Sequence, residues 1–267
     1  MATVRATDEQ RLAFGRVAEL YDRARPSYPT AVIDELIEFA GLGAGDRVLE
    51  VGAGTGKLTC LLAERGLAVL GLEPSAEMTE VARGNCAQYP YVEIEQVDFE
   101  RWQASIPPSR LVASAQAWHW VAPELRYELA AAALESEGTL AAIWTFPDWE
   151  HTELRDGLRE AYRLAAPDLE AGFPMHPASE PTDLAGDWHA EIEASGGFAD
   201  PQVRIHPWSA TYSTAQYMEL LQTHQDHILL EPVARERLLD AIAQTIDSGG
   251  GEIVVNFVTR LCLARGV

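Results

Sequence analysis

The sequence predicts a doubly wound α/β fold on a seven-stranded, mostly parallel sheet, with helices on both faces. Three observations predict it. From Asp46 onward, short apolar runs alternate with helix-like segments: RVLEV at 47–51, AVLGL at 68–72, LVASA at 111–115 and TLAAIW at 139–144. Such alternation is the mark of βαβ units, in which helices cover both faces of parallel strands. One run differs: in VEIEQV at 92–97 apolar and polar residues take turns, as in a strand with one wet face, which places it at the sheet edge. A glycine-rich loop, Gly52 to Gly56, joins the first run directly to a helical pattern.

After the fifth strand the rhythm breaks. Residues 146–185 carry five prolines, with a helical stretch from about Glu153 to Leu164, and read as a cap inserted over the mouth of a site. The pattern then resumes with a helix near Asp187 to Ala194, a Gly196-Gly197 turn and a strand around 202–211. Two helical segments follow, the second at about 232–246, and EIVVNFVTRLCLA at 252–264 reads as a closing antiparallel strand after Gly249 to Gly251. No repeat or linker divides the chain, so one domain is expected over 1–267. Its core spans about 40–145 and 186–267, its amino-terminal arm 1–39 and its cap about 146–185.

Composition narrows the partners. The chain has 267 residues, 47% of them hydrophobic, enough for a sizeable core. A formal net charge of −21 with no basic cluster opposes a phosphate backbone, so nucleic acid is not an expected partner. The same charge also serves solubility. Cys60, Cys86 and Cys262 lie far apart without a CxxC spacing, so neither a disulfide framework nor a zinc site is expected and they read as reduced core residues. The opening MATVRATDEQ lacks the features of a signal peptide, and no apolar run is long enough to span a bilayer. A cytoplasmic protein with no membrane partner is expected; oligomeric state is left open.

The loop Glu50-Val51-Gly52-Ala53-Gly54-Thr55-Gly56 lets backbone approach a ligand closely. A Walker A reading fails, because the required first glycine falls at Val51 and the hydroxyl position is Leu58. The dinucleotide fingerprint fits poorly, because its third glycine falls at Lys57. Downstream, Glu73-Pro74 ends the second strand where a carboxylate can accept ribose hydroxyls, a role common to several nucleotide folds.

The full set resembles the class I S-adenosylmethionine-dependent methyltransferases: ExGxGxG after strand one, Glu73 after strand two, Asp98-Phe99 after strand three and Gln116-Ala117-Trp118-His119-Trp120 after strand four. The resemblance spans roughly residues 40–145. Within that family the chain is most similar to the methyltransferase-type-11 group, including trans-aconitate methyltransferase-like proteins, whose amino-terminal F...YDxxRPxYP arm matches Phe14 and Tyr21 to Pro29. The resemblance implies a Rossmann-like methyltransferase fold, S-adenosylmethionine as cofactor and S-adenosylhomocysteine as product. It implies that the backbone of Gly52, Ala53 and Gly54 approaches the methionine part, that Glu73 holds the ribose and Asp98 with Phe99 the adenine, and that Glu50, Gly56 and Pro74 belong to the same cofactor-binding set. Gln116 and Ala117 would line the methionine moiety. Tyr21 and Arg25 would close over its carboxylate end, a role guanidinium geometry suits; alternatively the arm is a proline-stiffened surface segment.

Methyl transfer is an in-line displacement that needs alignment and exclusion of water more than covalent help. Trp118 and Trp120 offer an aromatic wall to a sulfonium. His119 is the candidate catalytic base, or else a packing residue. His224 and His227, three apart on a possible helix, could share a metal, but no third ligand is evident and they read as surface or lid residues; no metal is expected. The strand-four end lacks the Asp/Asn-Pro-Pro-Tyr/Phe motif of base amino methylation, which favours a small-molecule acceptor, with a carboxylate or hydroxyl as the methylated group. Trp144, Phe146, Trp149, Phe173 and Met175 suggest an apolar or aromatic one. A nicotinamide-dependent oxidoreductase and a non-methylating protein that retains the pocket remain the alternatives.

Overall fold

Seven strands form one sheet in the order β3-β2-β1-β4-β5-β7-β6. They are β1 (Arg47–Val51), β2 (Ala68–Leu72), β3 (Val92–Glu95), β4 (Ser109–Ala115), β5 (Leu134–Asp148), β6 (Phe198–Ser213) and β7 (Glu252–Gly266). Strands β1 to β5 are parallel, and β7 runs antiparallel to both β5 and β6. The computed structural model describes residues 13–104, 106–149, 154–167, 169 and 187–267.

Burial along β1, β2 and β4 is nearly continuous because both faces are covered. Alternate residues serve different layers, as the two-residue period of a strand requires. Val48, Val69, Leu111 and Ala113 pack with Val32, Ile33 and Leu36 of α2 (Thr30–Ala40) and Leu58 and Leu62 of α3 (Lys57–Ala63). Leu49, Leu70 and Val112 face the other way, toward α5 (Arg126–Ala133) and α7 (Trp188–Ser195). Edge strand β3 keeps Ile94 buried and Glu93 exposed, the wet face expected of it.

Local signals set several boundaries. Helix α2 buries residues 32, 33, 36 and 40, one stripe of a 3.6-residue period, and ends at Gly41 in the left-handed region. Asp187 caps α7, its side chain accepting from the Ala190 N–H at 3.2 Å. Ser213 and Gln216 form a reciprocal capping box at α8 (Thr214–Leu221).

A third cluster lies at the far end of the sheet. There α6 (Arg155–Ala165), α8 and α10 (Pro232–Ser248) pack on Tyr212, Ile253, Val255 and Phe257. The β6–β7 ladder reaches that far because it pairs continuously from Phe198↔Gly266 to Ser213↔Glu252, apart from one irregularity between Ala199 and Gln202. Residues 214–248, expected as part of the core, thus share a lobe with the cap helix. Strand β5 also outruns the expected 139–144, because β7 pairs with it as far as Asp148. Phe173 and Met175 lie outside the described residues; Trp149 is buried in the third cluster.

One expectation needs correction. Trp118 is no cavity wall: it is 1% exposed and packs edge-on to Tyr127 beneath Arg126. The cysteines are free thiols, as expected, and two of them meet: α3 and α4 (Ala76–Cys86) run side by side and bring Cys60 Sγ to 3.3 Å from Cys86 Sγ.

Candidate functional site

The crests of β1, β2 and β4 open into a cavity of about 390 Å³. Its floor follows from the glycine loop. Gly52 adopts φ +74°, and a Cβ there would stand 2.3 Å from the Ala117 Cβ, so only glycine lets the β1 and β4 crests approach. Gly54, at φ +58°, is the opposite case: a Cβ would meet nothing within 4 Å, so its backbone borders open space. The Gly52 and Ala53 N–H groups both donate to the Leu72 carbonyl, at 2.9 and 3.0 Å, tying the loop to β2.

Glu73, 8% exposed, sits beside this loop. One carboxylate oxygen accepts from the Gly54 N–H at 2.8 Å and the other from the Ser75 N–H at 2.9 Å. A carboxylate accepts at both of its oxygens, the geometry that a pair of adjacent ligand hydroxyls needs. Thr55 Oγ1 is buried at the cavity wall without a partner among the described residues. Apolar Leu72, Met78, Val97 and Phe99 line one side, a slot suited to a flat ring.

On β4's crest Gln116 takes φ +58°, a conformation that costs a non-glycine residue about 1 kcal/mol or more. Two bonds hold it: its N–H donates to the Ile143 carbonyl and its Nε2 to the Thr145 carbonyl, both at 2.8 Å. The resulting turn aims Ala117 at Gly52.

Glu50 is 1% exposed, and Thr59 Oγ1 donates to it at 2.5 Å. Burial pushes its carboxyl up to about 8, against the lowering effect of Thr59. The folded chain therefore holds an extra proton between the ordinary carboxyl value of 4.5 and about 8. The stability Glu50 contributes is full below that window and is lost as pH rises through it. Glu50→Gln, which keeps an acceptor for Thr59, should gain stability relative to the parent as pH rises from 5 to 8. Denaturant unfolding at three pH values across this window would show it, and a difference constant with pH would place the carboxyl in water.

His119 lines the cavity, yet Trp144 Nε1–H donates to its Nδ1 at 3.2 Å. That bond uses the lone pair a base would need and leaves the proton on Nε2. Burial, helped by Arg126, also pulls the imidazole down to about 4, so it is neutral at pH 7 and a hydrogen-bond donor. The geometry therefore argues against the base expected from sequence.

Tyr21, Arg25, Ala53, Pro74 and Ala117 also line the cavity, whereas Gly56 and Asp98 are not among its lining residues. Gly56 abuts Cys86 and Ala82, and Asp98 pairs with Arg101 at 3.1 Å. Arg25 Nε and one Nη donate to Thr223, at 2.8 and 3.0 Å, so the guanidinium is already oriented. The arm helix, α1 (Ala18–Ala24), is fastened, because Lys57 Nζ donates to the Asp22 carbonyl at 2.6 Å and Arg23 pairs with Glu219. Residues that sequence reasoning did not assign to the cavity include Tyr28, Glu100, His224, Gln225 and Asp226. Tyr28 stood in the arm motif, but nothing local signals the turn at 224–226.

Residues 48–138 match the methyltransferase domain family. This span carries the glycine loop, Glu73, Gln116 and His119. The chain is 39% identical over 137 residues to an uncharacterised methyltransferase of Mycobacterium tuberculosis, covering 51% of this chain and 54% of that protein. It is 27% identical over 151 residues to a Saccharomyces cerevisiae protein named a probable S-adenosylmethionine-dependent methyltransferase, covering 54% and 50%. The chain thus spans about half the length of these curated relatives. Among solved structures, a proposed type II methyltransferase of Anaeromyxobacter dehalogenans superposes with a TM-score of 0.62 at 20% identity, over 91% of this chain and 97% of that one, which shows the shared Rossmann-like fold. Arg25 and the wall at 224–226 lie outside the methyltransferase-domain match, so the domain supplies the floor of the cavity and other segments supply the rest. No helix among the described residues is long and apolar enough to cross a membrane.

Proposed function

We propose that the chain transfers the methyl group of S-adenosylmethionine to a small-molecule acceptor. The observation that carries this is the cradle of Gly52, Gly54 and Glu73 inside a methyltransferase domain, with open space at Gly54 and an unpartnered buried hydroxyl at Thr55. The domain match and the name of the yeast relative support this reading over the nicotinamide alternative. When bound, the cofactor supplies an activated methyl on a sulfonium. Glu73 would accept the ribose hydroxyls, Phe99 and Val97 would sandwich the adenine, and Glu50, Gly52, Ala53 and Ala117 would surround the methionine part. Asp98 could reach the adenine amine only from beyond the present cavity lining. Tyr21 and Arg25 would close the remaining side, Arg25 presenting the Nη not directed to Thr223.

The acceptor would enter between Trp120, His119 and the arm, where His119 Nε2–H can hold an oxygen in line with the methyl. A carboxylate or hydroxyl suits that donor, and a net charge of −21 favours acceptors without a phosphate backbone. The trans-aconitate methyltransferase-like subgroup is the finer form of this proposal.

Calorimetric titration should show S-adenosylmethionine binding and no NADH binding, and a metabolite panel should yield S-adenosylhomocysteine only where an acceptor is present. Binding of NADH alone would overturn the reading, and cofactor binding without turnover on any acceptor would leave a non-methylating pocket protein. His119→Ala should lower stability by about 1–3 kcal/mol, because the Trp144 indole N–H loses its acceptor. Turnover per folded molecule should fall less than about tenfold, with an unaltered pH profile. A loss of about a hundredfold together with a vanished acidic limb would restore His119 as the base.

A further inference from the structure

One wall of the cavity is the turn into α9 (Gln225–Ile228), and three metal-ligand side chains meet there. The ligating atoms of His224, Asp226 and His227 lie within 4.8 Å of one another. Backbone geometry explains the meeting: His224 caps the helix and His227 follows three residues later, on the same face. Asp226 turns back over the helix start, where one carboxylate oxygen lies 2.9 Å from both the backbone N and Nδ1 of His227. This third ligand type was in the sequence between the two histidines, but adjacency alone gave no reason to expect it to fold toward them.

The rest of the arrangement is that of oriented ligands. His227 is completely buried, and its Nε2 lies 2.9 Å from the Tyr162 hydroxyl of α6. The ring is therefore held from behind with Nδ1 forward, as outer partners hold metal-binding histidines. The His224 ring stands edge-on to it at 5.6 Å, and no hydrogen bond engages its nitrogens among the described residues. Both His224 and Asp226 face the cavity. Arg25 adds positive charge beside His224, but two of its nitrogens are directed to Thr223 and the Asp226 carboxylate offsets it.

We propose that His224, Asp226 and His227 bind one divalent transition-metal ion on this wall, the ion replacing the proton between His227 Nδ1 and Asp226. A separation of 2.9 Å allows both atoms to sit at ordinary bond lengths of about 2.0–2.2 Å from one ion, at close to a right angle. Two imidazoles and a carboxylate suit zinc, cobalt, nickel or ferrous iron rather than magnesium or calcium. The remaining coordination positions open onto the cavity, where an oxygen ligand could take one. The site does not depend on the methyltransferase reading.

The test is titration of the full chain, stripped with a chelator, with Co(II) followed by visible absorption and Zn(II) followed by calorimetry. One ion per chain is expected. His224→Ala and Asp226→Asn, both at the cavity wall, should each weaken binding by about tenfold or more. His189→Ala, at an exposed histidine, should leave it unchanged. Unfolding curves confirm that each variant is folded. Absence of stoichiometric binding, or affinity unchanged in both wall variants, overturns the site and leaves the cluster as a hydrogen-bonded network. S-adenosylhomocysteine titrated into the same samples keeps the readings separate: binding of that compound without metal sinks this proposal alone.

Discussion

Gly52→Ala is expected to reduce S-adenosylhomocysteine affinity by about a hundredfold or more and to lower stability by about 2–5 kcal/mol. The added Cβ would lie 2.3 Å from that of Ala117, and the backbone holds φ +74°. A left-handed alanine costs roughly 1–2 kcal/mol and overpacking about 1–3 kcal/mol. Relief requires the β1 and β4 crests to part, which disturbs both walls of the proposed methionine site. Gly54→Ala separates the two effects, because its Cβ meets no neighbour within 4 Å. That variant should lose only about 1 kcal/mol of stability yet still bind poorly, its methyl standing where the ligand would lie. Calorimetry and denaturant unfolding on both variants decide the matter. Parental affinity in Gly54→Ala would mean that the ligand does not approach this backbone.

Glu73→Ala should be nearly as damaging to the fold. It removes the acceptor of two backbone N–H groups, Gly54 and Ser75, at a residue only 8% exposed. Each buried donor left unsatisfied costs about 1–3 kcal/mol, so a total near 2–4 kcal/mol is expected once some water enters. Cofactor affinity should drop by a further 1–3 kcal/mol, roughly fivefold to 150-fold, through loss of the proposed ribose contact. Glu73→Gln keeps one acceptor oxygen but turns an NH₂ toward the other N–H, so its stability should fall between the two. If the affinity of folded Glu73→Ala equals that of the parent, Glu73 is a loop brace and not a ligand contact.

The His119 result shows where local reading stops. Its position after β4 was legible, because a polar residue at the crest of a parallel strand faces the cleft. Its protonation state was not, since the partner that decides it, Trp144, lies 25 residues away on β5. Trp118 fails for a related reason: a tryptophan one residue from a site residue faces the core when the chain turns in a short helical segment, here Trp118–Trp120. The cavity wall at 224–226 and the Cys60–Cys86 pair are likewise products of packing between distant elements.

By itself the sequence determined the strands, their parallel order of succession, the wet edge at β3 and the glycine loop, because each is written in neighbouring residues through a period of two, a period of 3.6 or a required positive φ. It also determined that a carboxylate at Glu73 would stand beside that loop, since consecutive parallel strands end on the same side of the sheet. Only the tertiary structure decided what closes the cavity, which histidine keeps a free lone pair and which ligands converge. Those outcomes depend on α6, α8 and α10 packing over the long β6–β7 ladder, and on the arm being tied down at Lys57 and Thr223. Contacts between residues that far apart follow from which buried surfaces fit one another, a property of the assembled core that no local pattern carries.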